Sequence, residues 1–226
     1  MLNPVIRKSV MSFDTLAPVY RWMELISAGD KLQRCREAFL AEVPVPRQIL
    51  IAGEGHGRSL VACRRQFTEA QITCVDSSQG MLRQAREALR CHGLTEDGVE
   101  FIHADLLSWS PPQGRYDLLV THFFLDCFRA DQLEVLVPLL ASAAAPHASW
   151  LIADFQEAPS GWRRMRSRII LWMLYRFFRV TTQLPADQLT PADPFLKAAG
   201  FQQQRRLETE WGLLKSEWWQ LAGREE

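Results

Sequence analysis

The chain has 226 residues, of which 47% are hydrophobic, and its 26 basic and 26 acidic side chains give a formal net charge of zero. This length supports one well-buried α/β domain, and the lack of a basic excess argues against a nucleic-acid carrier. Five scattered cysteines without a CxxC pair favour a reducing compartment, with neither a disulfide framework nor a zinc site. We therefore expect one cytoplasmic domain over residues 1–226, with no signal peptide.

Two helical segments precede the first strand-like run. Residues 13–25 (FDTLAPVYRWMEL) place apolar side chains on one face, and Pro18 would bend or restart this helix. A second helix is predicted from about Asp30 to Glu42, before an extended proline-containing stretch. Residues 1–46 are thus expected to form a helical segment in front of the sheet.

The most informative segment is an apolar run followed by three glycines. Ile49–Ala52 is typical of a buried parallel strand, and Gly53, Gly55 and Gly57 follow it directly before a helix-like pattern. Glycine allows positive φ and close approach of a ligand, which would lie over the first helical turn, where free N–H groups point outward. The spacing G-x-G-x-G differs from the dinucleotide pattern G-x-G-x-x-G, because Arg58 replaces its last glycine.

An acid inside this loop indicates which ligands it can hold. The Glu54 carboxylate would repel a pyrophosphate, whereas it suits a ligand that carries an ammonium and a sulfonium group. His56, in the same loop, is expected to contact the cofactor rather than to perform acid–base chemistry. The loop therefore predicts a nucleotide-type cofactor with positive charge.

Acidic residues recur where the later strands end. The strand-like runs are Ile72–Asp76, Val99–Asp105, Tyr116–Thr121 and Ser149–Phe155. Open parallel sheets bind ligands at the carboxyl ends of their strands, so the acids predict one binding edge. An acid placed like Asp76 reaches a ribose hydroxyl pair through two charge-assisted hydrogen bonds. Ser77 and Ser78 are expected to cap the helix that follows.

The sequence after the fifth strand predicts a helical cap over residues 160–182, then a short helix and two strands within residues 193–222. Residues 162–179 combine six arginines with a dense apolar and aromatic run. Three interpretations are open: a cap or dimer-forming helix beside a substrate pocket, an interfacial helix on an anionic membrane, or a buried helix with a solvated arginine face. The two strands, about Phe201–Glu208 and Trp211–Gln220, would form an antiparallel hairpin.

The glycine loop and the acids that follow it resemble motif I and its neighbours in the class I S-adenosylmethionine (SAM) methyltransferases, over residues 48–155. The resemblance implies an α/β fold with a Rossmann-like seven-stranded sheet, helices on both faces and a C-terminal antiparallel hairpin. It implies SAM as cofactor, S-adenosyl-L-homocysteine as product, and a small or lipophilic acceptor. Ile51 stands where that family usually has Asp or Glu, and Glu54 is our hypothesis for the missing charge.

This resemblance also implies a set of cofactor contacts. They are Gly53, Glu54, Gly55, Gly57, Asp76, Ser77, Met81, Ala104, Asp105, Leu106, Thr121 and His122. Asp76 would bind the ribose, and Asp105 would accept from the adenine amino group beside a backbone N–H of the preceding residue. Phe123 would either face the sulfonium or pack beside the fourth strand. No metal is expected, because His103 and Asp105 lack a third ligand at suitable spacing.

The candidate bases are His122, then Asp126, then Asp154. His122 follows the fourth strand, where this fold places the transferred methyl group, and imidazole suits proton removal near neutral pH. Tyr20 is a further catalytic candidate, because the pattern F-D-x-x-A-x-x-Y resembles a segment that folds over the cofactor in ubiquinone/menaquinone C-methyltransferases. The alternative for Tyr20 is packing against the sheet.

Three other functions stay open: aminopropyl transfer from decarboxylated SAM, a SAM-binding regulatory or assembly protein without chemistry, and an NAD-dependent oxidoreductase. Arg58 and Glu54 disfavour the last of these. A small-molecule acceptor is the expected partner, with a homodimer and peripheral membrane contact through residues 162–179 as further options. The acceptor atom is not identified by the sequence.

Overall fold

The computed structural model describes residues 29–182 and 189–222 of the chain. The strands are β1 (Gln48–Ala52), β2 (Gln71–Asp76), β3 (Val99–His103), β4 (Tyr116–His122), β5 (Ala144–Phe155), β6 (Phe201–Thr209) and β7 (Leu214–Leu221). The helices are α1 (Gly29–Glu37), α2 (Arg58–Gln66), α3 (Gln79–Cys91), α4 (Ala130–Ser142), α5 (Gly161–Thr182) and α6 (Asp193–Ala198). Tyr20 and the helix predicted over residues 13–25 lie outside the described residues.

All seven strands form one sheet, in the order β3-β2-β1-β4-β5-β7-β6. The strands β1 to β5 pair in parallel, and β7 runs antiparallel to both β5 and β6. This arrangement confirms the predicted Rossmann-like sheet and its C-terminal hairpin. The direction of winding reverses between β1 and β4, and parallel sheets bind ligands beyond the strand ends at such a switch point.

Alternate residues of β1 contribute to two cores, one on each face of the sheet. Leu50 packs in the core that contains Leu133 and Leu136 of α4. Ile49 lies in the opposite core with Leu60 of α2 and Leu82 of α3. Because helices cover both faces, β1 is apolar at successive positions rather than at alternate ones.

Three boundaries differ from the sequence expectations. β5 begins at Ala144 instead of Ser149, because Ala144 pairs with Tyr116 across a register shift. β7 begins at Leu214, because residues 210–212 form a 3-10 turn in which Trp211 has a φ of 59°. α1 ends at Glu37, five residues before the predicted end at Glu42, and the chain continues through turns.

Helix α5 matches the predicted cap and exposes an apolar ridge. Its exposed apolar side chains are Trp162, Met165, Ile169 and Trp172. The opposite side of the helix packs through Leu171 and Tyr175. Among the described helices, none combines the length and apolar character that crossing a bilayer requires. The three interpretations of this segment remain predictions.

Candidate functional site

The glycine loop between β1 and α2 lies at the carboxyl end of the central strand. Gly53, Gly55 and Gly57 have φ values of 71°, 63° and 81°, in the left-handed region. A Cβ at Gly57 would lie 2.7 Å from the Cα of Ala85 on α3, so this glycine allows the loop to touch that helix. A Cβ at Gly55 would meet nothing within 4 Å, so the loop is open there. The loop therefore provides both a close contact and space for a ligand.

Glu54 caps helix α2 from within the loop. Its Oε1 accepts hydrogen bonds from the backbone N–H groups of Ser59 (2.9 Å) and Leu60 (3.1 Å). The sequence predicted that first-turn N–H groups would be free for a ligand, and the structure differs because a carboxylate of the chain itself occupies them. The N–H groups of Ser59 and Leu60 are thus already used and are not available to a pyrophosphate.

The second carboxylate oxygen of Glu54 is buried without a hydrogen-bond partner. Burial raises the pKa of Glu54 to about 8, with Arg36 acting against the shift and Asp76 adding to it. The ligand-free site thus favours the protonated acid at neutral pH. A cationic group placed beside this oxygen would favour the carboxylate and supply the missing partner.

Asp76 ties the glycine loop to the end of β2. Its Oδ2 accepts from the backbone N–H of Gly55 (3.1 Å), and its Oδ1 accepts from that of Ser78 (2.8 Å). Ser78 in turn caps α3, because its Oγ accepts from the N–H of Met81 at 3.2 Å. Ser77 is exposed at the same strand end. A buried carboxylate therefore lies directly beside the open part of the loop.

The end of β3 presents Asp105 at the surface. Its Oδ1 accepts from the N–H of Leu107 at 3.0 Å, and Leu106 is buried beneath it. The N–H of Ala104 donates to the carbonyl of Asp76 at 3.1 Å. The backbone donor expected for an adenine ring is therefore engaged within the sheet, whereas the Asp105 side chain is accessible.

His122 ends β4 as a buried, neutral side chain. Its Nδ1 lies 3.0 Å from the hydroxyl oxygen of Ser59. Burial, together with the nearby charge of Arg36, lowers its pKa to about 3. A base this weak is poorly matched to proton removal near neutral pH. The neighbouring Thr121 accepts from the indole N–H of Trp150 at 2.9 Å, which is a packing role.

Two phenylalanines separate the glycine loop from the region beyond β5. Phe123 has a φ of 53°, a strained conformation for a non-glycine residue, and its ring lies 4.8 Å from the guanidinium of Arg36. The ring of Phe124 lies against Gly53, where it would collide with a Cβ. In this structure the cation at the Phe123 ring is thus Arg36, and contact with a sulfonium stays a prediction.

Asp126 lies in the 3-10 turn Leu125–Cys127 that follows these rings. Its side chain is buried, and its main-chain carbonyl accepts from the hydroxyl of Tyr175 on α5 at 2.7 Å. Burial raises the pKa of Asp126 to about 6. Asp154 on β5 is also buried, and burial together with the charge of Asp126 raises its pKa well above the ordinary value. Asp126 is therefore better matched than His122 to accept a proton near neutral pH.

We expect Asp126→Asn to become more stable relative to the wild type as the pH rises from about 4 to about 7.5. The folded-state pKa is raised from 3.8 to about 6, so the folded wild type must lose a proton that it holds more tightly than the unfolded chain does. The difference in unfolding free energy should grow by up to about 3 kcal/mol, as measured by urea unfolding at both pH values.

The groups that face this carboxyl are Asp154, Lys215, Cys127 and Tyr175. Asp131→Asn is a suitable control, because Arg129 lowers the pKa of that exposed carboxyl and the sign of its pH dependence is therefore opposite. A stability difference for Asp126→Asn that stays constant with pH would contradict the assignment.

Sequence reasoning missed Arg36, Ser59 and Phe124, which all border the loop. Arg36 is brought in by α1, which docks on β7 through the Cys35 thiol, 3.0 Å from the hydroxyl of Ser216. No local motif signals this contact, because the two residues are 181 positions apart. Ser59 was detectable, because a hydroxyl in the first turn after the glycines faces the same strand edge as His122.

The comparisons with known proteins agree with this geometry. Residues 49–160 match the family model described as a methyltransferase domain. This segment is a class I methyltransferase domain. It contains the glycine loop, Asp76, Asp105 and the ends of β4 and β5, so the match covers the strand ends that form the candidate site. Within the described residues, no group of three or more His, Cys, Asp or Glu side chains could hold a metal ion.

The curated relatives of the methyltransferase domain include two bacterial enzymes named trans-aconitate 2-methyltransferase. The protein of Rhodopseudomonas palustris (strain BisB18) is 38% identical over 87 residues, which cover 38% of this chain and 31% of the relative. The protein of Paracidovorax citrulli (strain AAC00-1) is 32% identical over 136 residues, covering 58% of this chain and 49% of the relative. The matched regions thus span less than half the length of these relatives.

Solved structures share the fold of the methyltransferase domain. An O-methyltransferase family protein from Burkholderia thailandensis has a TM-score of 0.66 at 17% identity, covering 92% of this chain and 60% of that protein. A SAM-dependent methyltransferase from Methanosarcina mazei has a TM-score of 0.59 at 17% identity, covering 80% of this chain and 95% of that protein. These likenesses and the family match confirm the predicted class I fold, and the ubiquinone/menaquinone subtype stays a prediction.

Proposed function

We propose that this protein transfers a methyl group from SAM to a small-molecule acceptor. The observation that carries the proposal is the state of Glu54. Its carboxylate already occupies the N-terminus of α2, where a dinucleotide would place its pyrophosphate, and its other oxygen is buried and unpartnered. This arrangement favours a cationic ligand over an anionic one, which supports SAM over NAD.

The residues around the loop fit the parts of SAM. The open backbone at Gly55 would lie along the methionine end, and the orphaned oxygen of Glu54 would meet its ammonium group. The buried Asp76 carboxylate, which accepts from the N–H groups of Gly55 and Ser78 beside the open part of the loop, would accept from the ribose hydroxyls. The exposed Asp105 would accept from the adenine amino group.

When bound, SAM supplies a methyl group on a sulfonium, whose S–CH₃ bond breaks with its electron pair on sulfur as the acceptor atom bonds to carbon. The protein's contribution is to hold the acceptor in line and to exclude water, and orientation of this kind supplies up to about 7–11 kcal/mol in the best cases. The switch point beside β4 is lined by the buried His122 and the partly buried rings of Phe123 and Phe124. The contact with Ser59 and the low pKa of His122 argue against this imidazole as the base.

Isothermal titration calorimetry with SAM, S-adenosyl-L-homocysteine and NAD tests the proposal. We expect the first two to bind with dissociation constants of roughly micromolar size and NAD to show no binding at the same concentrations. Tight binding of NAD, or no binding of SAM to the folded protein, would overturn the proposal. A protein that binds SAM but methylates none of a panel of thiols, phenols and amines would instead support the regulatory alternative.

A further inference from the structure

A second feature at the same edge of the sheet is a cavity of about 320 Å³ beyond β5 and β7. It is bounded by Asp126, by residues 154–157 at the end of β5 and by residues 189–193 before α6, with Arg206 and Lys215 from the hairpin. Phe155, Leu189 and Pro191 give it apolar walls. The cavity is thus large enough for a small aromatic or aliphatic molecule.

Both cationic side chains in the lining are already paired with carboxylates. Lys215 Nζ lies 2.7 Å from Asp193 and 2.9 Å from Glu217. Arg206 Nη1 lies 3.0 Å from Asp193 and 2.7 Å from Glu217, while its Nη2 donates to the side-chain oxygen of Gln156 at 2.6 Å. A carboxylate entering the cavity would therefore have to compete with internal carboxylates for each cation.

The remaining charged groups of the lining are acidic. They are Asp126, Asp154 and Glu157. Asp126 and Asp154 are 8% and 3% exposed, and each makes ionisation of the other less favourable, so the pair tends to hold one proton between them. The cavity therefore offers a buried proton acceptor and no unpaired cation among its lining side chains.

The cavity is adjacent to the glycine loop. Asp154 Oδ1 accepts from the backbone N–H of Phe124 at 3.2 Å, and the ring of Phe124 lies against Gly53. The Phe123 ring, on the same segment, packs edge-on against Phe155 of the cavity wall, with 5.3 Å between ring centres. The Phe123–Phe124 segment thus borders both the glycine loop and the cavity, and an acceptor seated in the cavity would reach the proposed methyl donor past these two rings.

We propose that this cavity is the acceptor pocket, that it selects a neutral or cationic acceptor bearing an O–H, S–H or N–H group over a carboxylate, and that Asp126 accepts the released proton. This inference rests on the proposed methyl transfer and adds the substrate class. Two curated relatives are named for trans-aconitate, which is a carboxylate compound, and the paired cations described above argue that this chain differs in its acceptor.

The step balances without any further reactant. The acceptor heteroatom, which in an ammonium group must first lose a proton to free its lone pair, forms a bond to the methyl carbon as the carbon–sulfur bond breaks, and the electron pair of the broken bond stays on sulfur. The proton of the acceptor passes to the Asp126 carboxylate and then to water. Burial and the charge of Asp126 raise the pKa of Asp154 and favour its protonated form, and its Oδ1 accepts from the N–H of Phe124.

Three probes of similar size test the charge preference: benzylamine, phenol and benzoate, which are cationic, neutral and anionic near neutral pH. Their binding to the full chain is measured by ligand-observed NMR titration in the presence of S-adenosyl-L-homocysteine. We expect benzylamine and phenol to bind at least about tenfold more tightly than benzoate. Replacing both Asp126 and Asp154 by Asn should reduce the ratio of the benzylamine affinity to the benzoate affinity by about fivefold or more.

Asp117→Asn is the matched control, because that carboxylate accepts the backbone N–H groups of Arg47 and Gln48 at the opposite end of the sheet. It should leave the ratio unchanged. Benzoate binding as tightly as phenol, or an unchanged ratio in the folded double variant, would overturn this inference. Absence of S-adenosyl-L-homocysteine binding overturns the proposed function instead, and titration of the probes without that compound keeps the two failures distinguishable.

Discussion

Asp76→Ala should weaken SAM binding by about 100-fold or more, corresponding to roughly 3 kcal/mol. The substitution would remove the proposed acceptor of two charge-assisted bonds from the ribose hydroxyls. It also removes the hydrogen bonds that the Asp76 carboxylate accepts from the backbone N–H groups of Gly55 (3.1 Å) and Ser78 (2.8 Å). The bond from Gly55 holds the glycine loop to the end of β2, so the loop would be less well fixed. Calorimetric titration of the purified variant with SAM measures the loss.

Asp105→Ala is the comparison for that experiment. Its side chain is exposed and accepts from the N–H of Leu107, so we expect a loss of only about tenfold or less. Circular dichroism of both variants shows whether each is folded. Unchanged SAM affinity in folded Asp76→Ala would remove the ribose assignment.

Gly57→Ala should lower the unfolding free energy by about 4 kcal/mol. The φ of 81° is strained for any residue with a Cβ, at a cost of about 1–2 kcal/mol. The new methyl would also lie 2.7 Å from the Cα of Ala85, a backbone atom that cannot move without displacing α3. Urea denaturation followed by tryptophan fluorescence measures the change.

Gly114→Ala separates the two causes. Gly114 has a φ of 62°, similar to that of the loop glycines, but a Cβ there meets nothing within 4 Å. Its substitution should cost only the backbone strain, about 1–2 kcal/mol. Equal losses in the two variants would show that contact between the loop and α3 is not what requires glycine at position 57.

The positions of the central strands along the chain could be predicted from the sequence, because each strand is an apolar run that ends close to a polar residue. Ile49–Ala52 before the glycines and Ile72–Asp76 after them appear in the structure almost as predicted. The Rossmann-like seven-stranded sheet with its C-terminal hairpin came from the resemblance, since apolar runs alone do not specify which strands are neighbours. The family match and the sheet order confirm that inference.

The partners of the polar groups could not be predicted in the same way. Glu54 was expected to face a ligand, yet one of its oxygens caps α2, because a carboxylate four residues before the helix can fold back onto its first N–H groups. Lys215 was not singled out, although Lys215 and Glu217 on one face of a strand signal an internal ion pair. Long-range contacts such as Arg36 with the Phe123 ring leave no local pattern.

Because its pKa is raised, Glu54 should change protonation state when a cationic ligand binds or leaves the glycine loop. In the ligand-free site the Glu54 carboxyl group tends to keep its proton, so the interior does not hold an unpaired carboxylate. Arrival of an ammonium group would displace that proton to solvent, and its departure would let the proton return. Binding of a donor molecule would thus add one positive charge at Glu54 and release another as a proton, and its departure would reverse both changes. The net charge at this side chain would therefore stay the same.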